Sequence, residues 1–341
     1  MSLWWLFVNR NKACVSLNLS HPAGAEVLKE LVADADVLIE NFRPGTMERW
    51  GLGWDVLSAI NPRLVMVRVT GFGQTGPYSA RPGYGTLAES MSGFAYRNGP
   101  ADGPPVLPPF GLADTVTGLT TAFAVMTALW ARRATGRGQE VDVAIIEPLL
   151  TVLEPQLVEY DQLGTVMSRI GNRSPVNAPR NIYPSGDGKW VALSTSTQST
   201  ADRLLTLVGR PDVLTEPWFR SAHSRAGHAD ELDAIVGPWV AARPAEEVLA
   251  ACRHAGAPAA VVLSVPDILA DPQYAAIGAV ATVPDDELGP VRMANTPFRL
   301  SRTPPAIRWT GPAMGEHNAE VFAELGIDEP GLEKLRADGV V

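Results

Sequence analysis

Cysteine is scarce in this sequence: the 341 residues include only Cys14 and Cys252. The two lie far apart, and neither belongs to a spacing typical of a metal site. Proteins that depend on disulfide frameworks carry more cysteines, so the scarcity favours a reducing compartment, the cytoplasm. We therefore predict neither a disulfide framework nor a bound metal.

Long apolar runs are missing as well. No stretch approaches the ~18 uninterrupted apolar residues of a membrane span. The apolar start, residues 1–7, is too short for a signal peptide and follows no basic segment. Basic residues number 28 against 37 acidic ones, a formal charge of −9 that argues against general nucleic-acid binding. We expect a protein that binds neither membranes nor nucleic acids.

Several familiar catalytic motifs are also absent. The run GFGQTG at residues 71–76 has neither the Lys-Ser/Thr of a P-loop nor the glycine spacing of a dinucleotide site. No G-x-S-x-G nucleophile elbow is present. His223 and His228 are five residues apart around a glycine, which fits a solvated loop better than a metal site. The sequence thus supports neither a serine hydrolase nor a metalloenzyme.

What is present is an alternation of strand-like and helix-like segments in a chain that is 46% hydrophobic. Strands are predicted at residues 15–19, 37–40, 64–69 and 141–145, and a helix is predicted to begin at Pro22. Such alternation indicates an α/β fold with a mostly parallel sheet. Ligands of such sheets bind beyond the carboxyl ends of the strands, which here are residues 41–45 and 70–76.

The clearest helix is predicted between Gly111 and Gly136. Its apolar residues fall at spacings of three and four, and a second apolar face predicts that the helix is buried. The apolar series is Val116, Leu119, Phe123, Met126 and Trp130.

Asp114 lies at the start of this helix and has two interpretations. Asp is a favoured N-cap residue, so its role could be purely structural. A carboxylate held as an anion at a helix start could instead be a nucleophile toward an activated acyl group.

Basic residues near the strand ends also have two interpretations, since they either bind an anionic, phosphorylated ligand or are solvated surface charges. These residues are Arg10, Lys12, Arg43, Arg49, Arg63, Arg68, Arg81 and Arg97.

Motifs spread through nearly the whole chain resemble the class III, or CaiB/BaiF-type, CoA-transferase family. They are NRNK at residues 9–12, ADVLIENFRPG at 35–45, NPRL at 61–64, GFGQTGP at 71–77, LADTVTG at 112–118, RATGRGQ at 133–139, and GEHN at 315–318 with ELG at 324–326. The resemblance implies that Asp114 is a covalent nucleophile. It implies an acyl-CoA:carboxylate CoA-transferase that works through an aspartyl-CoA intermediate, with CoA as substrate and no tightly bound cofactor.

The resemblance also implies CoA contacts and an architecture. The family's CoA-binding positions correspond to Lys12, Asn41, Phe42, Thr46 and Arg49, with Arg81 as an addition. The fold implied is a large Rossmann-like domain plus a smaller α/β domain in an interlocked homodimer. We expect the large domain at residues 1–184, the small domain at 185–296, and a C-terminal return to the large domain at 297–341.

Two features depart from the family pattern. Members usually have one more strand-helix unit before the NRNK motif, and we expect that this unit is missing here. Many members also carry an acid after the tyrosine equivalent to Tyr84, whereas this chain has Gly85. Glu89 either substitutes for that acid or occupies a surface position on a helix.

These departures leave two alternatives to the transferase. The family includes acyl-CoA racemases, but these use a His-Asp pair where Tyr84 and Gly85 stand, so no base for proton abstraction is evident. The other alternative is a non-catalytic CoA-binding homologue.

Overall fold

The structure is a computed structural model that describes residues 2–341. In chain order its α-helices are α1 (Leu3–Val8), α2 (Pro22–Asp34), α3 (Thr46–Arg49), α4 (Trp54–Ile60), α5 (Gly85–Met91), α6 (Phe94–Arg97), α7 (Leu112–Thr135), α8 (Ile146–Thr151), α9 (Gln156–Leu163), α10 (Gln198–Leu207), α11 (Ala222–Ala226), α12 (Ala229–Ala241), α13 (Ala245–Ala255), α14 (Val265–Ala270), α15 (Pro272–Ala276), α16 (Asn318–Ala323) and α17 (Glu329–Ala337). Short 3₁₀-helices cover Pro211–Thr215 and Pro217–Arg220.

The strands form three sheets. In chain order the strands are β1 (Val37–Glu40), β2 (Val65–Thr70), β3 (Glu140–Ala144), β4 (Arg180–Pro184), β5 (Trp190–Ser194), β6 (Ala259–Val261), β7 (Val280–Asp285) and β8 (Gly289–Ala294). Strands β1, β2 and β3 make a parallel sheet in that order, β4, β5 and β6 an antiparallel one, and β7 pairs with β8 as an antiparallel hairpin. The predicted mixed α/β fold with a parallel sheet is therefore confirmed.

Strand β2 explains how the parallel sheet is covered on both faces. Met66 packs with apolar residues of α2, α3 and α4, while Val65 and Val67 pack with Ala128 of α7 and Val143 of β3. Successive side chains of a strand point to opposite faces, so the almost uninterrupted apolar sequence of β2 is what a central, doubly covered strand requires.

Residues 15–19, predicted as a strand, are not assigned to a strand, although they lie within the described residues. The Ser16 N–H donates to the side-chain oxygen of Asn318, and the Asn18 N–H donates to the carbonyl of Val340. The apolar side chains of Val15 and Leu17 pack in the cluster that contains Phe322. The prediction was wrong because these backbone N–H groups bond the C-terminal segment instead of a neighbouring strand.

Helix α7 begins and ends as predicted, and Gly136 caps it in the left-handed conformation. The prediction that it is buried is wrong. Its buried residues are small, namely Ala113, Thr117, Thr121 and Ala128. The large apolar residues Leu119, Phe123, Met126 and Trp130, hereafter the apolar stripe, are exposed in this chain, Phe123 by 75% and Trp130 by 72%. The face of α7 that packs on the sheet consists of Val125, Ala128 and Leu129, and the apolar stripe lies outside that face.

Helix α7 is also the one helix in residues 2–341 that is long and apolar enough to cross a membrane. Length and composition alone are weak support for a span, since helices packed in soluble proteins share them. Here one face of α7 packs on the parallel sheet, and Arg132 in its last turn hydrogen-bonds to Asp36 and to the carbonyl of Arg63. These contacts are those of a packed helix.

The chain divides into two compact units. The first comprises Met1–Gly93, Pro108–Glu154 and Leu269–Val341, and the second comprises Phe94–Leu107 and Pro155–Ile268. This division differs from the boundary expected after residue 184. Pro184 is the last residue of β4, and a short connection joins it to β5, the hydrogen-bonded neighbour of β4 in the same sheet. The loop-rich composition of this stretch suggested a boundary, but the stretch forms a hairpin inside the second unit.

Candidate active site

Asp114 is the third residue of α7, and the N-cap position belongs to Gly111, which makes no side-chain capping bond. The interpretation of Asp114 as the N-cap is therefore wrong. Its carboxylate lies in the first turn, where the positive end of the helix dipole stabilises an anion. The side chain is exposed rather than used as a cap.

Two glycines make the space that this carboxylate occupies. A β-carbon added at Gly85 would lie 2.3 Å from Oδ2 of Asp114, and one added at Gly111 would lie 2.9 Å from the same oxygen. Neither residue could carry a side chain without moving the Asp114 carboxylate. The Asp114 carboxylate lies where a side chain at position 85 would begin, and glycine at that position leaves room for it.

Glu89 supports the start of the same helix. Its side chain is only 2% exposed, and its Oε1 accepts a hydrogen bond of 3.2 Å from the backbone N–H of Ala113. That N–H is one of the helix-start donors that have no partner within the helix. The surface position considered for Glu89 is therefore wrong, and the residue instead fixes the backbone immediately before Asp114.

A cavity of about 530 Å³ opens in front of Asp114. It lies where parallel α/β sheets bind ligands, beyond the carboxyl ends of the strands. Its lining residues come from the ends of β1 and β2, the residue after β3, the loop before α5 and one face of α7. They are Ile39, Glu40, Asn41, Val69, Thr70, Gly71, Gly83, Tyr84, Asp114, Thr117, Gly118, Thr121, Ala122 and Ile145.

A smaller cavity of about 140 Å³ adjoins the first. The two share Asn41 and Tyr84 among their lining residues, and the smaller one adds Phe42, Arg43 and Arg81. The Arg81 guanidinium lies over the ring of Tyr78 at 3.7 Å. The structure thus brings three predicted CoA-contact residues, Asn41, Phe42 and Arg81, to the cavity beside that of Asp114.

Comparison with known proteins decides the family. The model of CoA-transferase family III matches residues 1–318. The succinyl-CoA–D-citramalate CoA-transferase of Chloroflexus aurantiacus is 38% identical over 341 residues, and the β subunit of the succinyl-CoA–L-malate CoA-transferase of the same organism is 41% identical over 344 residues. Each match covers 100% of this chain and 85% of the relative. The chain belongs to CoA-transferase family III.

A solved structure supports the same assignment. A CaiB/BaiF family protein from Brucella suis superposes with a TM-score of 0.81 at 32% identity, covering 94% of this chain and 84% of that protein. The resemblance to class III CoA-transferases and the prediction of CoA-transferase activity are therefore confirmed.

Within this family III chain, the remaining predicted CoA contacts fall into two places. Arg49 and Thr46 lie together on α3, with a 2.8 Å hydrogen bond from the guanidinium to the threonine hydroxyl. Phe42 precedes α3 and Trp50 follows it, and their rings meet edge-on with the ring centres 5.0 Å apart. Lys12 lies elsewhere in sequence, and its ammonium donates to Asn9 at 3.2 Å. Within residues 2–341, no hydrogen bond or ion pair joins Lys12 to Thr46 or Arg49.

Arg68, counted above among the bases that could attract an anion, is not available for that role. It is buried and bonded to the carboxylates of Glu40 at 2.8 Å, Glu48 at 2.6 Å and Glu140 at 3.3 Å. The hydrogen bond from Arg68 holds the pKa of Glu48 below its ordinary value. Arg68 therefore neutralises the acids around β1 and β2 and leaves no charge for a ligand.

Sequence reasoning missed two residues of the Asp114 cavity, Thr117 and Thr121. They follow Asp114 by three and seven residues, a spacing that places all three on one face of a helix. This spacing was the available signal. Among the described residues, no group of three or more His, Cys, Asp or Glu side chains is arranged to hold a metal ion.

Proposed function

We propose that this chain transfers CoA from an acyl-CoA donor to a small carboxylic acid, with Asp114 as the covalent nucleophile. The observation that carries the proposal is the environment of the Asp114 carboxylate. It lies in the first turn of α7, in space left by Gly85 and Gly111, and faces a cavity at the carboxyl ends of a parallel sheet.

The proposed reaction forms an aspartyl-CoA thioester in two exchanges. The Asp114 carboxylate attacks the thioester carbonyl of the donor and the C–S bond breaks. CoA leaves as the thiolate, and the acyl group remains on Asp114 as a mixed anhydride. The thiolate then attacks the carbonyl carbon of Asp114, and the donor acid leaves as its carboxylate. The acceptor carboxylate reverses both exchanges, which yields its own acyl-CoA and restores the Asp114 carboxylate.

We assign CoA binding to the residues around the smaller cavity and α3. Arg49 and Arg81 carry positive charge suited to CoA phosphates, and Lys12 supplies a third cation. Asn41 and Phe42 border the adenosine part, and the hydroxyl of Thr46 holds the Arg49 guanidinium in place. No further tightly bound cofactor is required by this chemistry, because the thioester supplies the activated acyl group.

The relatives indicate the substrate class. Two similar proteins are named for transfer from succinyl-CoA to citramalate and to malate. We extend to this chain the shared part of those names, a short acyl-CoA donor and a small carboxylic acid acceptor.

We also propose that the working enzyme is an interlocked homodimer in the cytoplasm, with a Rossmann-like large domain and a smaller domain. The apolar stripe of α7 supports association, since four large apolar side chains are exposed together in the single chain. Cys14 and Cys252 both carry free thiols, which is compatible with a reducing compartment.

Replacement of Asp114 by Ala tests the proposed function. Loss of the nucleophile should lower kcat/KM for transfer by roughly a thousandfold or more. The free energy of unfolding should change by about 1 kcal/mol or less, because the carboxylate only interacts with the helix dipole. Asp55→Ala is the matched control, since Asp55 is an exposed acid in the first turn of α4. Transfer that survives Asp114→Ala would refute the role of Asp114.

A further inference from the structure

Threonines on α7 divide into two groups by what their hydroxyls contact. Most donate a hydrogen bond to the backbone carbonyl four residues earlier, the ordinary arrangement for threonine in a helix. These are Thr115 at 2.8 Å, Thr120 at 2.9 Å, Thr127 at 2.9 Å and Thr135 at 3.2 Å. Thr117 and Thr121 differ, because neither hydroxyl has a hydrogen-bond partner among the described residues.

The two unpartnered threonines are also the buried ones. Thr117 is 2% exposed and Thr121 is 6% exposed, and both line the cavity that contains Asp114. A buried hydroxyl without a partner destabilises a protein, so such groups are rare and call for an explanation. A ligand in the cavity that accepts or donates hydrogen bonds would supply the missing partner.

The position of the pair relative to Asp114 indicates which part of a ligand it would meet. The two residues follow Asp114 by one and two helical turns, roughly 4.5 Å and 10.5 Å along the axis. Gly118 and Ala122 lie beside them on the same cavity wall and leave room for a chain. The acyl group bonded to Asp114 would therefore run past Thr117 first.

The charge of the cavity indicates the kind of polar group. Among the described residues that line it, none is Lys or Arg, and its two acids are Asp114 and Glu40. Glu40 is already paired with Arg68. A second carboxylate on the ligand would meet no cation here, whereas a neutral hydroxyl suits two threonine hydroxyls.

We propose that Thr117 and Thr121 are specificity-determining residues that bind a hydroxyl group on the acyl chain of the acceptor acid. The preferred acceptors are then hydroxy acids, ahead of unsubstituted acids and of acids with a second carboxylate at the same place. This inference rests on the proposed function, since it assumes that the acyl group is carried by Asp114.

The test compares butyrate, 4-hydroxybutyrate and succinate, which differ only at the end of a four-carbon chain. Transfer is measured as kcat/KM, and binding of each free acid is measured by calorimetry, which needs no turnover. The variants Thr117→Val and Thr121→Val keep the side-chain shape and remove the hydroxyl. Thr120→Val is the control, since Thr120 is exposed and bonded to its own helix.

We expect the intact enzyme to prefer 4-hydroxybutyrate to butyrate by about tenfold or more, because a site built for a hydroxyl disfavours an analogue that lacks it. Either cavity variant should bring this ratio close to one by lowering kcat/KM for 4-hydroxybutyrate, and the control should leave the ratio unchanged.

Three results overturn the inference: a ratio that both cavity variants leave unchanged, no binding of any acid, or a preference for succinate that the valine variants abolish. If no acid is transferred but calorimetry shows a preference for 4-hydroxybutyrate that the valine variants abolish, the proposed function fails and the hydroxyl site stands.

Discussion

At the scale of single residues, the site depends on an absent side chain as much as on a present one. Gly85 stands where many family members are expected to carry an acid, and the Asp114 carboxylate fills the place of its β-carbon. Glu89, one turn further along α5, binds the backbone before Asp114. Gly85 leaves room for the Asp114 carboxylate, and Glu89 fixes the backbone at the start of its helix.

Gly85→Ala should therefore damage activity more than stability. The new methyl carbon would lie 2.3 Å from Oδ2 and 2.8 Å from Cγ of Asp114, so the carboxylate must move. We expect kcat/KM to fall by about a hundredfold, because displacement of a reacting group by about 1 Å is costly. Thermal melts should show a small change, since Ala favours the helix by about 1 kcal/mol over Gly.

Gly237→Ala is the control for this substitution. Gly237 lies within α12, and a methyl group there would meet only the Tyr183 ring at 3.7 Å, an ordinary contact. If Gly85→Ala is as active as this control, the steric account of Asp114 is incorrect.

The ion pairs of Arg68 make a pH-dependent contribution to stability. Because the pKa of Glu48 is lowered in the folded state, its carboxylate stabilises the fold at neutral pH. That contribution is lost as the pH falls through the lowered pKa and Glu48 becomes protonated. Glu48→Gln should reduce the free energy of unfolding at pH 7 by about 1 kcal/mol or less, since the pair is partly solvated.

Urea denaturation of both proteins between pH 7 and pH 3 measures this effect. The difference between them should shrink as the pH falls below about 4.5, the ordinary region for a glutamate. Glu26→Gln, which affects only a surface pair with Lys29, should show little difference at any pH. A difference for Glu48→Gln that stays constant with pH would contradict the account.

At the scale of elements, sequence periodicity predicted which segments form helices and strands but not which side of a helix packs. Strands β1, β2 and β3 and helices α2 and α7 were predicted within a residue or two, because each has a strong period or clear end signals. Helix α7 has two faces with apolar residues. The sheet receives the face with Val125, Ala128 and Leu129, whereas the 3/4-spaced series is exposed, and periodicity does not distinguish the two faces.

The apolar stripe makes a prediction about assembly. Phe123→Ser combined with Trp130→Ser should lower the fraction of protein that assembles as dimer, since large apolar side chains dominate association. Light scattering after size-exclusion chromatography measures the mass. Thr127→Ser, on an exposed part of the same helix, is the control. A single-chain mass for the unaltered protein, or a dimer fraction that the double substitution leaves unchanged, would contradict the role of the stripe.

At the scale of the whole molecule, the candidate site was predictable where residues follow strand ends. Asn41 and Phe42 follow β1 and lie near Asp114 because the carboxyl ends of parallel strands meet at one edge of a sheet. The division of the chain was harder to predict. Residues 94–107 belong to the second unit although both neighbouring segments belong to the first, and such long-range contacts leave no local pattern. The sequence does not single out the hydroxyls of Thr117 and Thr121, because only the structure shows that they have no hydrogen-bond partner within the described residues.

Mass spectrometry can show whether Asp114 carries CoA during turnover. The protein is incubated with an acyl-CoA donor, quenched in acid and digested, and the peptide that contains Asp114 is analysed. We expect this peptide to gain the mass of CoA less one water, and we expect the gain to disappear on addition of an acceptor acid and to be absent in Asp114→Ala. Transfer that proceeds with no CoA on this peptide, or with CoA bonded to another residue, would contradict it.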